Sequence, residues 1–315
     1  MEHNKPEITY ILLAICTYKR PNMLKNAINS VNELILPENI STEVLIVDND
    51  IEKSAYETVQ ELQKTTKLNI NYVSEEKRGL ASARNRVLEE GISRNASHIF
   101  MFDDDEILTP SALQTHIDLY KNNPDCLISS GIVLNKFSSE TPKYIQKNIV
   151  FKHKTTRKTG QIKSSCASGN VFIPVELAKS GLRFSEEFLL MGGEDGDFFS
   201  RASKDGWTIV QNTDSLIYED VSKERATIKY VFRRAYYNGY SGSFLKFKES
   251  KKHRFSYVLK LIFVLFTNII LILPSLFFGL SVFFNVLSMS AKTLGKIQGA
   301  VKNSPMEFYS KVYGS

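Results

Sequence analysis

Apolar runs of strand length alternate with helix-length amphipathic stretches from the start of the chain. "ITYILLAIC" (8–16) precedes a helical "NMLKNAINSVNEL" (22–34), then "EVLIVDND" (43–50). A second helical stretch (52–64) leads to "LNINYVSE" (68–75), and a third (80–95) to "ASHIFMFDDD" (96–105). The strand segments are continuous apolar runs, as strands buried on both faces require. This β-α-β-α order predicts an α/β domain with a mostly parallel, Rossmann-like sheet covered by helices on both faces.

In such sheets ligands sit beyond the carboxyl ends of the strands. The polar residues there are "TYKRP", "DND", "EEKRGLASARN" and "DDD", after the first to fourth strands. Residues 106–160 are less regular and include the basic run "KHKTTRKTG" (152–160), which reads as an exposed loop. Beyond it lie "SSCASGNVFIP" (164–174), "MGGEDGDFFSRASKDGW" (191–207) and a strand-like "TIVQNTDSLIYE" (208–219). No internal repeat is visible.

The pattern changes between Leu261 and Ala291, where no residue carries a formal charge. A straight helix over that run would be about 46 Å long, against about 30 Å for a bilayer core. Pro274 divides it, so a kinked tilted span and a re-entrant hairpin both fit. Basic residues flank both ends: Lys251, Lys252, Arg254 and Lys260 before, Lys292 and Lys296 after. That favours the hairpin with both ends cytoplasmic. Thr267, Asn268, Ser275 and Asn285 dilute the run, so two buried helices of a soluble domain are the alternative.

Charge sharpens this division. The 315 residues carry a formal net charge of +6, and the basic excess gathers late, between Lys223 and Lys260. An anionic surface beside the C-terminal part is the expectation. The N-terminus shows no secretory signal, and Cys16, Cys126 and Cys166 show no metal-ligand spacing. They read as reduced thiols of a cytoplasmic protein.

The acids supply candidate chemistry. On an extended segment Asp103 and Asp105 would point to one side and Asp104 to the other. Like charges that close need a cation, and hard oxygen ligands suit Mg²⁺ or Mn²⁺ shared with a nucleotide diphosphate. The alternative is an acidic turn in which Asp105 or Thr109 caps the following helix. Asp48 ends a strand where its carboxylate could meet a nucleobase or ribose, or serve a turn. Thr17, Tyr18 and Arg20 add a hydroxyl, an aromatic face and a cation near the same crevice, and Arg84 lies where a diphosphate could be met. "GGEDGDFF" offers Glu194, Asp195 and Asp197, either as a general base for a sugar hydroxyl or as the acidic first turn of a helix.

There is no GxxxxGK[ST], GxGxxG, HExxH or GxSxG, which removes the usual marks of ATP hydrolysis, dinucleotide redox chemistry, zinc proteolysis and α/β-hydrolase action. Nucleic acid is not an expected partner, because the basic charge abuts the apolar run.

Taken in order, "ICTYKRPNMLKNAINSV", "LIVDND", "RGLASARN", "FDDDE", "SGNVFIP" and "GGEDGDFF" resemble the family 2 glycosyltransferases, inverting enzymes of the GT-A fold, over about residues 8–220. Within that family, "YEDVSKERATIKYVFRRAYYNGYS" (218–241) is similar to the bacterial exopolysaccharide glucosyltransferases of the succinoglycan type, with Tyr218 where many relatives carry a histidine. The resemblance implies a GT-A catalytic domain at 1–220, its nucleotide-sugar half at about 1–105 and its acceptor half at about 106–220. A basic amphipathic segment (221–260), a membrane segment (261–291) and a short tail (292–315) would follow.

The resemblance also implies roles. Asp48 would contact uracil or ribose, Arg84 the diphosphate and Asp103 the sugar or ribose. Asp105, with Asp103, would hold Mn²⁺ or Mg²⁺, and Asp195 would be the base, with Glu194 its rival. The donor would be a UDP-sugar, the acceptor a saccharide or lipid-linked saccharide in cell-surface polysaccharide synthesis, and the site the cytoplasmic face of the membrane. A nucleotidyltransferase and a non-catalytic scaffold on a transferase fold are the alternatives.

Overall fold

A computed structural model describes residues 5–36, 38–152, 157–188, 191–248 and 250–302, with Ser304 and Met306. The elements in the first third are β1 (Tyr10–Thr17), α1 (Pro21–Val31), β2 (Ser41–Asp48), α2 (Tyr56–Thr65), β3 (Ile70–Ser74), α3 (Leu80–Ser93) and β4 (His98–Asp103). The middle holds β5 (Glu106–Leu108), α4 (Ala112–Asn122), β6 (Ile128–Lys136), α5 (Lys143–Gln146), β7 (Ile162–Lys163), β8 (Val171–Pro174) and α6 (Glu176–Lys179). The chain continues through α7 (Glu194–Lys204), β9 (Ile209–Asp220), α8 (Ile228–Lys248), α9 (Arg254–Ser275) and α10 (Leu280–Lys302).

One mixed sheet runs β3-β2-β1-β4-β8-β6-β9-β5, with β7 on β9. Strands β3, β2, β1 and β4 are mutually parallel, while β8 is antiparallel to both of its neighbours. Alternation along β1 shows why its sequence is apolar throughout. Ile11, Leu13 and Ile15 pack with Leu24, Ile28 and Ile117, while Leu12 and Ala14 pack with Ala83, Val87 and Phe198 on the other face. Each face of the sheet thus carries its own helical layer, as burying alternate side chains of one strand demands.

Parallel register brings the ends of three strands to one edge. Cys16 stands beside Asp103, and Thr17 beside Asp48. Beyond Asp103 the chain leaves the sheet: Asp104 and Asp105 form the turn between β4 and β5. The alternation expected of an extended segment therefore stops at Asp103. Neither acid-turn candidate caps α4 through a side chain: the helix begins after Ser111, and the Thr109 hydroxyl donates to the Leu216 carbonyl at 2.6 Å.

The basic run 152–160 falls partly outside the described residues, which omit 153–156. All three cysteines are free thiols. The apolar run is two helices rather than one. Pro274 sits in the last turn of α9, a short 3₁₀ turn (Leu276–Phe278) follows, and Gly279 at φ 96° reverses the chain into α10. A left-handed φ of that size favours glycine.

Helix α8 joins the C-terminal helices to the α/β domain. Helix α10 packs against α8 with their backbones nearly touching. A Cβ at Gly239 would fall inside contact distance of the Lys292 carbonyl, one at Gly295 of the Tyr236 carbonyl, and one at Gly299 of the Tyr240 carbonyl. Phe232 near Phe284 (6.4 Å between ring centroids), Tyr236 against Gly295 and Tyr240 against Gly299 advance together along both helices, so α8 and α10 are parallel.

Candidate active site

A cavity of about 410 Å³ opens at the carboxyl edge of β1 and β4. Three groups of elements enclose it: the β1–α1 loop with the β4–β5 turn, the Gly192–Asp195 approach to α7, and one face of α8. Tyr230, Arg234, Tyr237, Asn238 and Ser241 recur at helical spacing on that face of α8.

The aspartates are held apart by cations. Arg84, at the start of α3, is buried and bridges Glu194 to Asp103, the latter at 3.4 Å. Burial opposes the guanidinium charge, but Glu194 and then Asp103 outweigh it and push Arg84 above its ordinary range. Asp103 keeps 40% of its side chain exposed, into the cavity.

Asp104 accepts from the Thr17 hydroxyl at 2.8 Å and from Arg20 at 2.9 Å. Burial pushes its carboxyl up to about 6, against the pull of Arg20. Asp105 accepts from Arg20 at 3.5 Å and from Arg225 at 2.7 Å, both on Oδ2. Arg225 also pairs with Glu219 and donates to the Tyr230 hydroxyl at 3.1 Å.

Glu106 completes the floor. It accepts the Asp103 N–H at 2.7 Å, and it lies so close to Gly169 that a Cβ there would collide with its carboxylate. Burial, and then the Asp103 charge, push Glu106 well above the ordinary carboxylate range.

The acids of "GGEDGDFF" divide by partner. Gly192 and Gly193 adopt φ 79° and 99°, turning the chain so that Glu194, Asp195 and Asp197 form the first turn of α7. Glu194 is buried against Arg84, with its Oε2 unpartnered. Asp197 is taken by Arg201 at 2.7 Å, with Lys248 at 3.8 Å. Asp195 lines the cavity, accepts the Gly196 N–H at 2.7 Å, and pairs with no cation among the described residues. The catalytic and helix-terminus readings of this segment describe the same turn.

Asp48 lies behind the cavity, at the end of β2. It is fully buried and does not line the cavity; it accepts from the Tyr72 hydroxyl and the Ala55 N–H, both at 2.9 Å, and from the Asp50 N–H at 3.2 Å. Asn49, the middle residue of "DND", does line the cavity. Asn49 accepts the Gly79 N–H at 2.7 Å and donates to the Glu75 and Lys77 carbonyls, fixing the loop that carries Arg78. Arg78 in turn lies 5.0 Å from the Tyr18 ring centre at the cavity wall.

The structure thus brings Thr17, Tyr18, Arg20, Arg84, Asp103, Asp104, Asp105, Glu194 and Asp195 to one cavity and leaves Asp48 outside it. Sequence reasoning missed Glu106, Glu219, Arg225 and the α8 face. Glu219 and Arg225 stand in the segment that resembles the exopolysaccharide enzymes, and that resemblance was the only signal for them.

No group of three or more His, Cys, Asp or Glu side chains that could hold a metal occurs among the described residues. The oxygens of Asp103 and Asp105 fit a different arrangement, in which one or two carboxylates share a hard divalent cation with phosphate oxygens. Asp103 is open to the cavity, and on Asp105 both guanidiniums occupy Oδ2, leaving Oδ1 without a protein donor among the described residues.

Fold and cavity together define a GT-A glycosyltransferase. Residues 13–182 match the model of Glycosyl transferase family 2, and the chain belongs to that family. It is 24% identical over 233 residues to the succinoglycan biosynthesis protein ExoM of Rhizobium meliloti (strain 1021), covering 74% of each chain. It is 22% identical over 134 residues to a glucosyl-dolichyl phosphate glucuronosyltransferase of Haloferax volcanii, covering 42% of this chain and 41% of that one.

Among solved structures it resembles residues 1–349 of TarS from S. aureus, with a TM-score of 0.52 at 15% identity, covering 73% of this chain and 65% of that one. It also resembles a mannosyltransferase of Pyrobaculum calidifontis in complex with GDP-Man and Mn²⁺, with a TM-score of 0.53 at 17% identity, covering 75% and 64%. The chain spans just under two thirds of the length of these two structures.

Proposed function

We propose that this glycosyltransferase moves a sugar from a UDP-sugar to a saccharide or lipid-linked saccharide acceptor with inversion at the anomeric carbon. The observation that carries the reading is the contrast between Asp195 and its neighbours. Glu194 and Asp197 are bound by cations, while Asp195 faces the cavity unpaired, with Asp103 on the same cavity wall system.

Asp195 accepts the proton of the acceptor hydroxyl as its oxygen attacks the anomeric carbon. The bond from that carbon to the diphosphate breaks on the opposite side, and the nucleoside diphosphate leaves with the bonding pair. An α-linked donor gives a β-glycoside. Arg84 and Arg225 stand beside the acids that meet the leaving group and offset its charge. Asp103 and Asp105 would hold Mn²⁺ or Mg²⁺, which when bound supplies further positive charge at the diphosphate. Thr17 and Arg20 hold Asp104 and so set the turn, and Tyr18 with Arg78 forms the donor-side wall.

The succinoglycan role named for the R. meliloti relative supports polysaccharide synthesis, and the exposed apolar helix α9 supports work at a membrane, on this reading at its cytoplasmic face. On this reading residues 1–220 are the catalytic domain, and the segments after it bring the site to its acceptor.

The test is nucleoside diphosphate release by protein purified in detergent, across a panel of UDP-sugars with Mn²⁺ or Mg²⁺. Metal-dependent release with one sugar, lost in Asp105→Ala and Asp195→Asn, is the expected result. Absence of release and of nucleotide-sugar binding across the panel would sink the UDP-donor assignment.

A further inference from the structure

From Arg254 to Phe278 the chain has the length and composition to cross a bilayer, and only 17% of its most apolar stretch is buried. At about 1.5 Å per residue such a helix is about 37 Å long. Its surroundings forbid an upright placement.

Helix α9 runs antiparallel to α10. At one end the Arg254 guanidinium caps the Ala300 and Val301 carbonyls; at the other the chain reverses over Leu276–Gly279. Helix α10 is held along most of its length, first by the α/β domain and then by α8. Near its start, Phe284 stacks on Tyr144 at 4.7 Å, Asn285 accepts the Ile149 N–H at 2.8 Å, and Ser288 meets Asn148 at 3.0 Å. Further along, the glycine contacts fix it to α8. A bilayer crossed by α9 would have to take in α10, α5 and the cavity wall over the same ~30 Å.

The faces of α9 agree with a flat placement. Leu261, Asn268 and Ser275, seven residues apart, are its buried seam. Phe255, Phe263, Phe266, Ile270 and Leu273 share the opposite face and are each between 56% and 77% exposed, Phe277 follows in the 3₁₀ turn at 92%, and Ile262, Val264, Ile269 and Leu271 on the flanks are 40–55% exposed. Lys246, Lys251, Lys252 and Lys260 are exposed around its N-terminal end, where they suit anionic headgroups.

We infer that α9 lies in the plane of an anionic leaflet without crossing it. Its phenylalanine-rich face is immersed to about 5–10 Å, as for an interfacial helix. The whole catalytic domain stays on one side. This deepens the membrane-associated reading above, and its test is separable from the transferase chemistry.

The experiment uses the full chain with phosphatidylcholine vesicles, with and without added phosphatidylglycerol. Trp207, the single tryptophan, is buried in the core and serves as an unquenched internal reference. Three variants, Phe255→Trp, Phe266→Trp and Phe277→Trp, report depth through quenching by lipids brominated at different acyl positions. Equal, shallow depths at all three, with sedimentation on vesicles raised at least several-fold by phosphatidylglycerol, are expected. A deep Phe266→Trp between two shallow ends would establish a span and overturn the inference. Absence of quenching at all three, or self-association without vesicle binding, would overturn it by showing that protein covers the face. Phe263→Asp with Phe277→Asp is expected to lower vesicle binding at least tenfold while leaving nucleoside diphosphate release in detergent unchanged; loss of both together would make α9 a part of the fold instead.

Discussion

The Arg225 guanidinium donates to Asp105 Oδ2 at 2.7 Å although 120 residues separate them. The contact lays the β9–α8 connection over the acidic turn after β4. Cation and carboxylate are both nearly buried, and Arg225 is shared with Glu219. Asp105 therefore already has a positive partner at the position where a divalent cation is proposed.

Arg225→Gln is expected to have two effects. Breaking a buried pair costs about 3–5 kcal/mol, here toward the lower end because Arg20 stays with Asp105. For a chain of this size that lowers Tm by roughly 6–12 °C. The competing cation is also gone, so half-maximal nucleotide binding should need several-fold less Mn²⁺. A melting curve and a metal titration check both; an unchanged or higher metal requirement would refute the competition.

Asp195 and Glu194 should separate cleanly. Asp195→Asn is expected to lower kcat by about 10²–10⁴-fold, the usual worth of a general base, with Tm and donor affinity close to wild type. Glu194→Gln removes the main partner of buried Arg84 and should lower Tm and donor affinity while leaving measurable turnover. Single-turnover kinetics with calorimetric donor binding distinguishes them. The reverse pattern would move the base to Glu194.

The sheet and its two helical layers were legible because β1, β2 and β4 carry continuous apolar runs and amphipathic helices join the strands, and the strand-end positions of Thr17 and Asp103 followed directly. The turn at Asp104 and Asp105 was not, because the apolar run gives no signal of where β4 stops. Asp48 stands at a strand end as expected, but the Tyr72 hydroxyl that it accepts from comes from the neighbouring strand, a cross-strand partner that local sequence does not name. Arg225 was hidden by distance along the chain, and the α8 wall by a composition that reads equally well as a solvated basic helix.

Acid should unfold the protein partly through two buried histidines. Burial lowers His98 from 6.5 to about 3 and His116 from 6.5 to about 4. Both are neutral in the fold, so their contribution is complete above pH 6.5 and is lost as pH falls through the folded values. Each adds a slope approaching about 1.4 kcal/mol per pH unit between those limits. His98→Phe, which keeps the ring stacked on Phe172, should flatten the acid limb by one proton's worth in denaturant titrations from pH 7 to 4. An unchanged slope would place the proton uptake elsewhere.

Gly239→Ala and Gly295→Ala test the seam between α8 and α10. Each methyl would meet a facing backbone carbonyl, which cannot rotate away. Overpacking of this kind costs typically about 1–3 kcal/mol. Either variant should lower Tm, and the displaced α8 should weaken acceptor use more than donor binding. Equal KM for the acceptor in variant and wild type would show that the cavity wall does not follow the seam.

Helix α8 turns one side to the cavity and the other to the glycine seam, so the distance from the transfer site to α9 is set by backbone contact and not by a linker. With α9 in the leaflet as inferred and a lipid-linked acceptor as proposed, the protein would act as a height gauge. Such an acceptor would present its terminal sugar at a height fixed by how many sugars it already bears, and only one such height would meet Asp195. Length selection would then need no dedicated recognition of the inner sugars.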